Sequence, residues 1–225
     1  MLFRDRQDAG QLLAARLLSL KDDPNVMVLG IPRGGVVVAA EVARALNAPL
    51  DIFIAHKIGA PFNPELAIGA LTSNGDVLLD EGLIDELRIQ RDEIMREVAS
   101  QRGEIARRLG MFRKGQPPLD VIGKTVVLVD DGVATGSTVL AALRALRKQS
   151  PARLILAIPV GPAETVARLA RECDETIVLQ TPEPFWAVGR FYLRFDQTTD
   201  EEVVQLLADA ASRPIATSHR RQPDS

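Results

Sequence analysis

The chain has 225 residues, of which 46% are hydrophobic and 25% charged, with a net charge of −3. That length supports one substantial core, and the slight acidity offers no general surface for nucleic acid. A lone cysteine, Cys173, excludes an internal disulfide and fits a reducing cytoplasm; no apolar run approaches membrane-spanning length.

Charges at Arg4, Asp5, Arg6 and Asp8 fall where a signal peptide needs an unbroken apolar run, so the N-terminal twenty residues read as an amphipathic helix. "NVMVLGIP", residues 25–32, is a short apolar strand, and "GGVVVAAEVARAL", residues 34–46, opens on glycines and continues as a helix. "PLDIFIAHKIG", residues 49–59, is the next strand. "ELAIGALTSNGDVLLDE", residues 65–81, reads as a hairpin, because Asn74-Gly75 between two apolar runs favours the positive φ angles of a tight turn. From Leu83 to Leu109 the chain is helical and heavily charged, with a break expected near Gly103, and 71–118 is the segment expected to be mobile.

Four branched apolar residues, Val126 to Val129, then run into Asp130 and Asp131, followed by "GVATGST" and a helix. The strand "RLILAIPV" follows at 153–160, then a helix from Pro162 to Arg171, the strand "ETIVL" at 175–179, the aromatic segment "QTPEPFWAVGRFYLRFDQ" and a helix over 201–211. Strands alternating with helices of about ten residues imply right-handed crossovers. The expected fold is α/β: a doubly wound, mostly parallel sheet flanked by helices, with a β-hairpin and mobile insertion and a small hood. One domain is expected over 1–211, with its core at about 12–179 and its hood from 1–20 and 180–198; 212–225 is read as a disordered tail.

In such sheets ligands bind beyond the C-terminal strand ends, which directs attention to the turns there. The turn Ala134, Thr135, Gly136, Ser137, Thr138 combines small side chains with a helix N-terminus and suits a phosphate. It lacks the lysine and glycine spacing of a Walker A loop. Asp130 and Asp131 would repel a phosphate but suit a neutral diol and a cation, which a ribose with Mg²⁺ supplies.

A strand, two acids, two residues and then Ala-Thr-Gly-x-Thr resembles the signature of the type I phosphoribosyltransferases, which bind 5-phosphoribosyl-1-pyrophosphate (PRPP). "GIPRGGV" after the first strand resembles the family's pyrophosphate loop. The resemblance spans about 12–179 and implies PRPP and a small-molecule acceptor as ligands, Mg²⁺ held at Asp130 and Asp131 through water, a homodimer, and no nucleic acid or membrane partner. It places the 5-phosphate at Ala134 to Thr138 and the pyrophosphate at Arg33, Gly34, Gly35 and Lys57, with Asp130, Asp131, Arg33 and Lys57 as catalytic residues. Members acting on 6-oxopurines carry an Asp three residues after the acid pair; here that position is Ala134, which argues against hypoxanthine-type chemistry. Trp186, Phe191 and Tyr192 are the candidates for an aromatic surface under the acceptor. A non-catalytic PRPP or nucleotide sensor with the same fold is the alternative reading.

Overall fold

In the computed structural model, which describes residues 1–72, 75, 77–113, 117–118 and 120–213, the alternating apolar runs form the expected parallel sheet. Its strands are β1 (Val26–Gly30), β2 (Leu50–Ile52), β6 (Thr125–Val129), β7 (Arg153–Val160) and β8 (Glu175–Gln180), in the spatial order β2-β1-β6-β7-β8 and all parallel. Successive side chains face opposite sides, and both sides are buried, as a sheet covered by crossover helices requires. Val26, Val28, Val127, Val129, Ile155 and Ala157 pack under α1 (Arg6–Ala15) and α2 (Gly34–Leu46). Met27, Leu29, Val126, Leu128, Leu154 and Leu156 pack under α5 (Ser137–Lys148) on the other side.

Sheet order reverses between β1 and β6, so the chain leaves β1 in one direction and β6 in the other. The register aligns Gly30 with Val129, and Ile31 N–H donates to the Val129 carbonyl at 2.9 Å. The turns after β1 and β6 therefore start level with one another, at the switch point where an open α/β sheet leaves a crevice.

The strand expected over 49–59 is a correction. It divides at Phe53, whose N–H donates to the Gly30 carbonyl at 3.0 Å, and the chain then enters a second sheet. That sheet is antiparallel: β3 (Ala55–Ala60), β4 (Asn63–Thr72) and β5 (Val77–Leu79), in that order. Lys57 thus sits on β3, outside the parallel sheet. The β4–β5 hairpin is present as expected, although Asn74 of its turn lies outside the described residues; Gly75 has φ +85°.

The helical insertion also differs in detail. It forms α3 (Glu81–Glu86) and α4 (Arg91–Arg113), broken at Arg88 with φ +51° rather than at Gly103, which lies inside α4. Ile84, Ile94, Val98, Ile105 and Phe112 bury a continuous apolar face against Ile52, Ile54, Ile58, Ile68 and Leu71, and α7 (Asp200–Ala211) adds Val203. The end of α4 is fixed by Arg113, whose Nε and Nη2 donate to the two Asp51 carboxylate oxygens at 3.1 and 2.9 Å. α6 (Ala163–Leu169) joins β7 to β8 and is followed by a single 3₁₀ turn. The polar tail falls, from residue 214 onward, outside the described residues.

The two segments expected to form the hood, 1–20 and 180–198, meet at Phe3 and Tyr192. Phe3 pairs with Tyr192 in a parallel bridge: Phe3 N–H donates to the Phe191 carbonyl at 2.9 Å and Leu193 N–H to the Phe3 carbonyl at 2.8 Å. Phe3 is fully buried with Ala9, Val160 and Tyr192. Phe3→Ala should therefore cost about 3–5 kcal/mol of folding stability, the usual range for truncating a buried phenylalanine. Equilibrium urea unfolding measures this, and a change under about 1 kcal/mol, the size of an ordinary surface substitution or less, would mean that the bridge is peripheral to the fold.

Candidate functional site

β6 ends at Val129 because the next two residues are carboxylates, and the parallel register places them beside the turn that follows β1. The close fit between the two turns depends on glycine. A Cβ on Gly34 would stand 2.0 Å from Asp131 Oδ2, and one on Gly35 would stand 2.8 Å from both the Cα and the Oδ1 of Asp130. Gly34 and Gly35 are also the first residues of α2, so their backbone lies at a helix N-terminus against the acid pair. The Pro32–Arg33 peptide preceding them is cis.

Asp130 turns its Oδ1 onto the Asp131 N–H at 2.8 Å. Burial, followed by the adjacent Asp131 charge, pushes its carboxyl well above the ordinary carboxylate range. Burial raises Asp131 as well, opposed by the hydrogen bond and charge of Arg6. Arg6, the first residue of α1, donates from Nε to Asp131 Oδ2 at 2.7 Å. Tyr192 donates its hydroxyl to the Asp131 carbonyl at 2.5 Å, and burial pushes that hydroxyl's pKa upward.

The turn after the acids is a shallow rim. Ala134, Thr135 and Thr138 are exposed, Ser137 begins α5, and Gly136 caps that helix with φ +71°. α6 holds the rim from behind: Thr165 Oγ1 donates to the Ala134 carbonyl at 2.9 Å and Arg168 donates to the Thr135 carbonyl. Thr135 Oγ1 and Ser137 Oγ lie 3.3 Å apart. Backbone amides, hydroxyls and the positive end of a twelve-residue helix converge here, an arrangement suited to an anion.

The other expected residues are distributed unevenly. Arg33 is partly exposed at the mouth of the first turn, 3.7 Å from Asp200 at the start of α7. Lys57 lines a cleft of about 620 Å³ between β3 and α4, with Glu93, Arg96, Glu97 and Gln101. Tyr192 requires a correction: it is 5% exposed, its ring packs against Phe3 and Phe195, and its hydroxyl is committed to Asp131, so it offers no face to an acceptor. Phe191 is stacked on Phe185 with centroids 5.2 Å apart. Trp186 is 79% exposed and is the open ring of the three. Sequence reasoning missed Arg6, whose partner lies 125 positions away and which looked like any helix-surface charge.

Comparison with known proteins gives this arrangement its relatives. A phosphoribosyl transferase domain family matches residues 5–195. A Mycobacterium tuberculosis H37Rv protein, Rv0571c, whose name marks it as a candidate phosphoribosyl transferase, is 44% identical over 215 residues. That alignment covers 96% of this chain and 48% of the relative, so the chain spans about half the length of the curated relatives it matches. The bifunctional protein PyrR of Chloroflexus aurantiacus shares 55% identity over a short stretch of 47 residues, 20% of this chain and 26% of PyrR. Among solved structures, TT1426 from Thermus thermophilus is 43% identical with a TM-score of 0.85, over 93% of this chain and 99% of that one. Acid pair, glycine turn and phosphate-type rim all lie inside the matched segment, and the chain belongs to the phosphoribosyl transferase domain family.

Proposed function

We propose that the protein transfers the 5-phosphoribosyl group of PRPP to a nitrogen acceptor, a nucleobase or related heterocycle, and releases pyrophosphate. The observation behind this reading is the contact of Gly34 and Gly35 with the two carboxylates, which sets a pyrophosphate-type turn directly against a diol-type acid pair. A ligand with a sugar between two phosphorylated ends fits such a crevice: 5-phosphate on the Ala134 to Thr138 rim, hydroxyls on Asp130 and Asp131, pyrophosphate on the amides of Gly34 and Gly35 with Arg33 beside them. The family and the TT1426 fold support it.

The donor set also suits Mg²⁺. Two hard carboxylates stand together after β6, and oxygen donors of this kind suit an ion that takes its remaining ligands from substrate oxygens and water. Asp130 and Asp131 would hold it, and when bound it supplies charge neutralisation for the departing pyrophosphate. The chain's own part is positional. Carboxylates accept hydrogen bonds from the ribose hydroxyls, amides at two helix N-termini fix the two phosphate groups, and the anomeric carbon is presented to the acceptor as positive charge develops on it. No covalent nucleophile is needed. Of the aromatic candidates, Trp186 remains as the ring on which a flat acceptor would stack.

Asp130→Asn with Asp131→Asn should abolish pyrophosphate release from PRPP and Mg²⁺ while leaving the fold intact; normal turnover would remove the diol assignment. Asp130→Asn alone, which leaves the Arg6–Asp131 pair in place, should raise the melting temperature at neutral pH. The Asp130 carboxyl is raised in the folded state, so folding favours its protonated form, and the charged form costs stability once pH exceeds the unfolded value. The gain from the amide should accordingly shrink as pH falls into the ordinary carboxylate range. Assaying the wild type for pyrophosphate release across a panel of bases and amines also separates enzyme from sensor, which would bind PRPP without turnover.

Gly136→Val should weaken PRPP binding more than Lys57→Ala. A side chain at φ +71° is strained, and its Cβ would stand 2.8 Å from Thr165 Cγ2, distorting the rim, whereas Lys57 contributes one charge from a separate sheet. Calorimetric titration with PRPP and Mg²⁺ giving the reverse order would place the phosphate elsewhere.

Trp186→Ala should leave PRPP affinity and melting temperature nearly unchanged, because the ring is not part of the core. Acceptor affinity should fall by roughly ten- to a hundredfold, matching about 1–3 kcal/mol for stacking on a base. Unchanged acceptor affinity would release Trp186 from the site.

A further inference from the structure

Arg6 is held from four directions. Its Nε donates to Asp131 Oδ2 at 2.7 Å, its Nη1 donates to the Asp196 carbonyl at 2.7 Å, and its guanidinium carbon lies 3.8 Å from the centroid of the Phe195 ring. The fourth neighbour is the turn after β1, since a Cβ on Gly34 would stand 2.7 Å from Arg6 Nε. The side chain is 12% exposed, and that of Asp131 is 16% exposed. A surface ion pair between flexible side chains fixes little. This one has its donors placed, its ring partner stacked and its carboxylate tied through the backbone to the Tyr192 hydroxyl. It also consumes one oxygen of a carboxylate that the functional reading needs.

Those facts distinguish it from the other contacts joining the N-terminal segment to the hood. Arg194 reaches Asp5 across the same junction, but its side chain is 71% exposed and the pair includes neither member of the acid pair. A staple could sit anywhere on this junction. Arg6 sits where the acid pair, the glycine turn and the hood meet.

We propose that Arg6 is a positioning residue for phosphoribosyl transfer: by taking Asp131 Oδ2 it fixes the carboxylate in one orientation, leaving Oδ1 for the ligand, and ties that orientation to the C-terminal aromatic segment through Phe195 and Asp196. The proposal rests on the functional reading above. Its effect belongs to the transition state, where the alignment of the ribose hydroxyls matters most, because PRPP is held mainly by its phosphorylated ends. A misplacement of about 1 Å can cost a hundredfold in rate.

The test combines Arg6→Met, which keeps the apolar stem and removes the donors, with Arg6→Lys, which keeps the charge and loses the planar fork. Arg6→Met should lower kcat by about a hundredfold with little change in PRPP affinity, Arg6→Lys should recover part of that loss, and Arg194→Ala should leave kcat unchanged. A crystal structure of Arg6→Met should find the Asp131 carboxylate turned away from its wild-type orientation. Wild-type kcat in a folded Arg6→Met overturns the proposal, as does an equal loss in Arg194→Ala. Should Arg6→Met fail to fold, Arg6→Lys decides alone: lowered kcat with a shifted Asp131 supports the role, and wild-type kcat overturns it. If the wild-type protein releases no pyrophosphate from PRPP and Mg²⁺ with any acceptor, the functional reading falls. The orientation claim is then judged on the Arg6→Met crystal structure, and an unmoved Asp131 carboxylate rejects it.

Discussion

Two adjacent carboxylates at the end of a buried strand repel each other and lose hydration together, and the surrounding structure answers that cost. Asp130 accepts a backbone hydrogen bond from Asp131, Asp131 is neutralised by Arg6, and its carbonyl is held by Tyr192. These partners come from the turn after β6, from α1 and from the hood, so a single electrostatic constraint binds three separate parts of the chain. It also explains why the neighbouring turn must be glycine: any side chain at 34 or 35 would occupy the space of the carboxylates.

The second sheet gives the molecule its other body. β3 to β5, α3 and α4 share an isoleucine-rich core, and the Arg113–Asp51 pair fastens the end of α4 to the parallel sheet at β2. Within the segment expected to be mobile, the described residues 91–113 form one 23-residue helix whose apolar face is buried. Any movement of it over the crevice would carry that helix, and with it Glu93, Arg96 and Glu97 opposite Lys57, as a unit.

Much of this was legible in the sequence because it is local. The continuous apolar run of Val126 to Val129, glycines opening a helix after Ile31-Pro32, and acids followed by a small-residue turn each encode their geometry within ten residues. The failures are all tertiary. Nothing in "IFIA", residues 52–55, breaks the apolar run where the chain leaves one sheet for the other, and Phe53 there donates to the Gly30 carbonyl. Gly103 ought to weaken a helix by about 1 kcal/mol relative to alanine, but Val98 and Ile105 on either side are buried and hold α4 through it. Tyr192 and Trp186 are indistinguishable as aromatic residues of one segment; the bridge to Phe3 buries the first and leaves the second in solvent. Arg6 carries no local mark of its partner.

The Phe3–Tyr192 bridge has a consequence for the order of synthesis. A ribosome delivers the glycine turn first, the acid pair roughly a hundred residues later, and Phe191 to Asp196 only after the last strand of the sheet has emerged. Until then Arg6 has no aromatic face to rest on and Asp131 no tyrosine beneath its carbonyl. The segment that carries the ring beneath Arg6 and the hydroxyl beneath Asp131 is therefore synthesised after every strand of the parallel sheet.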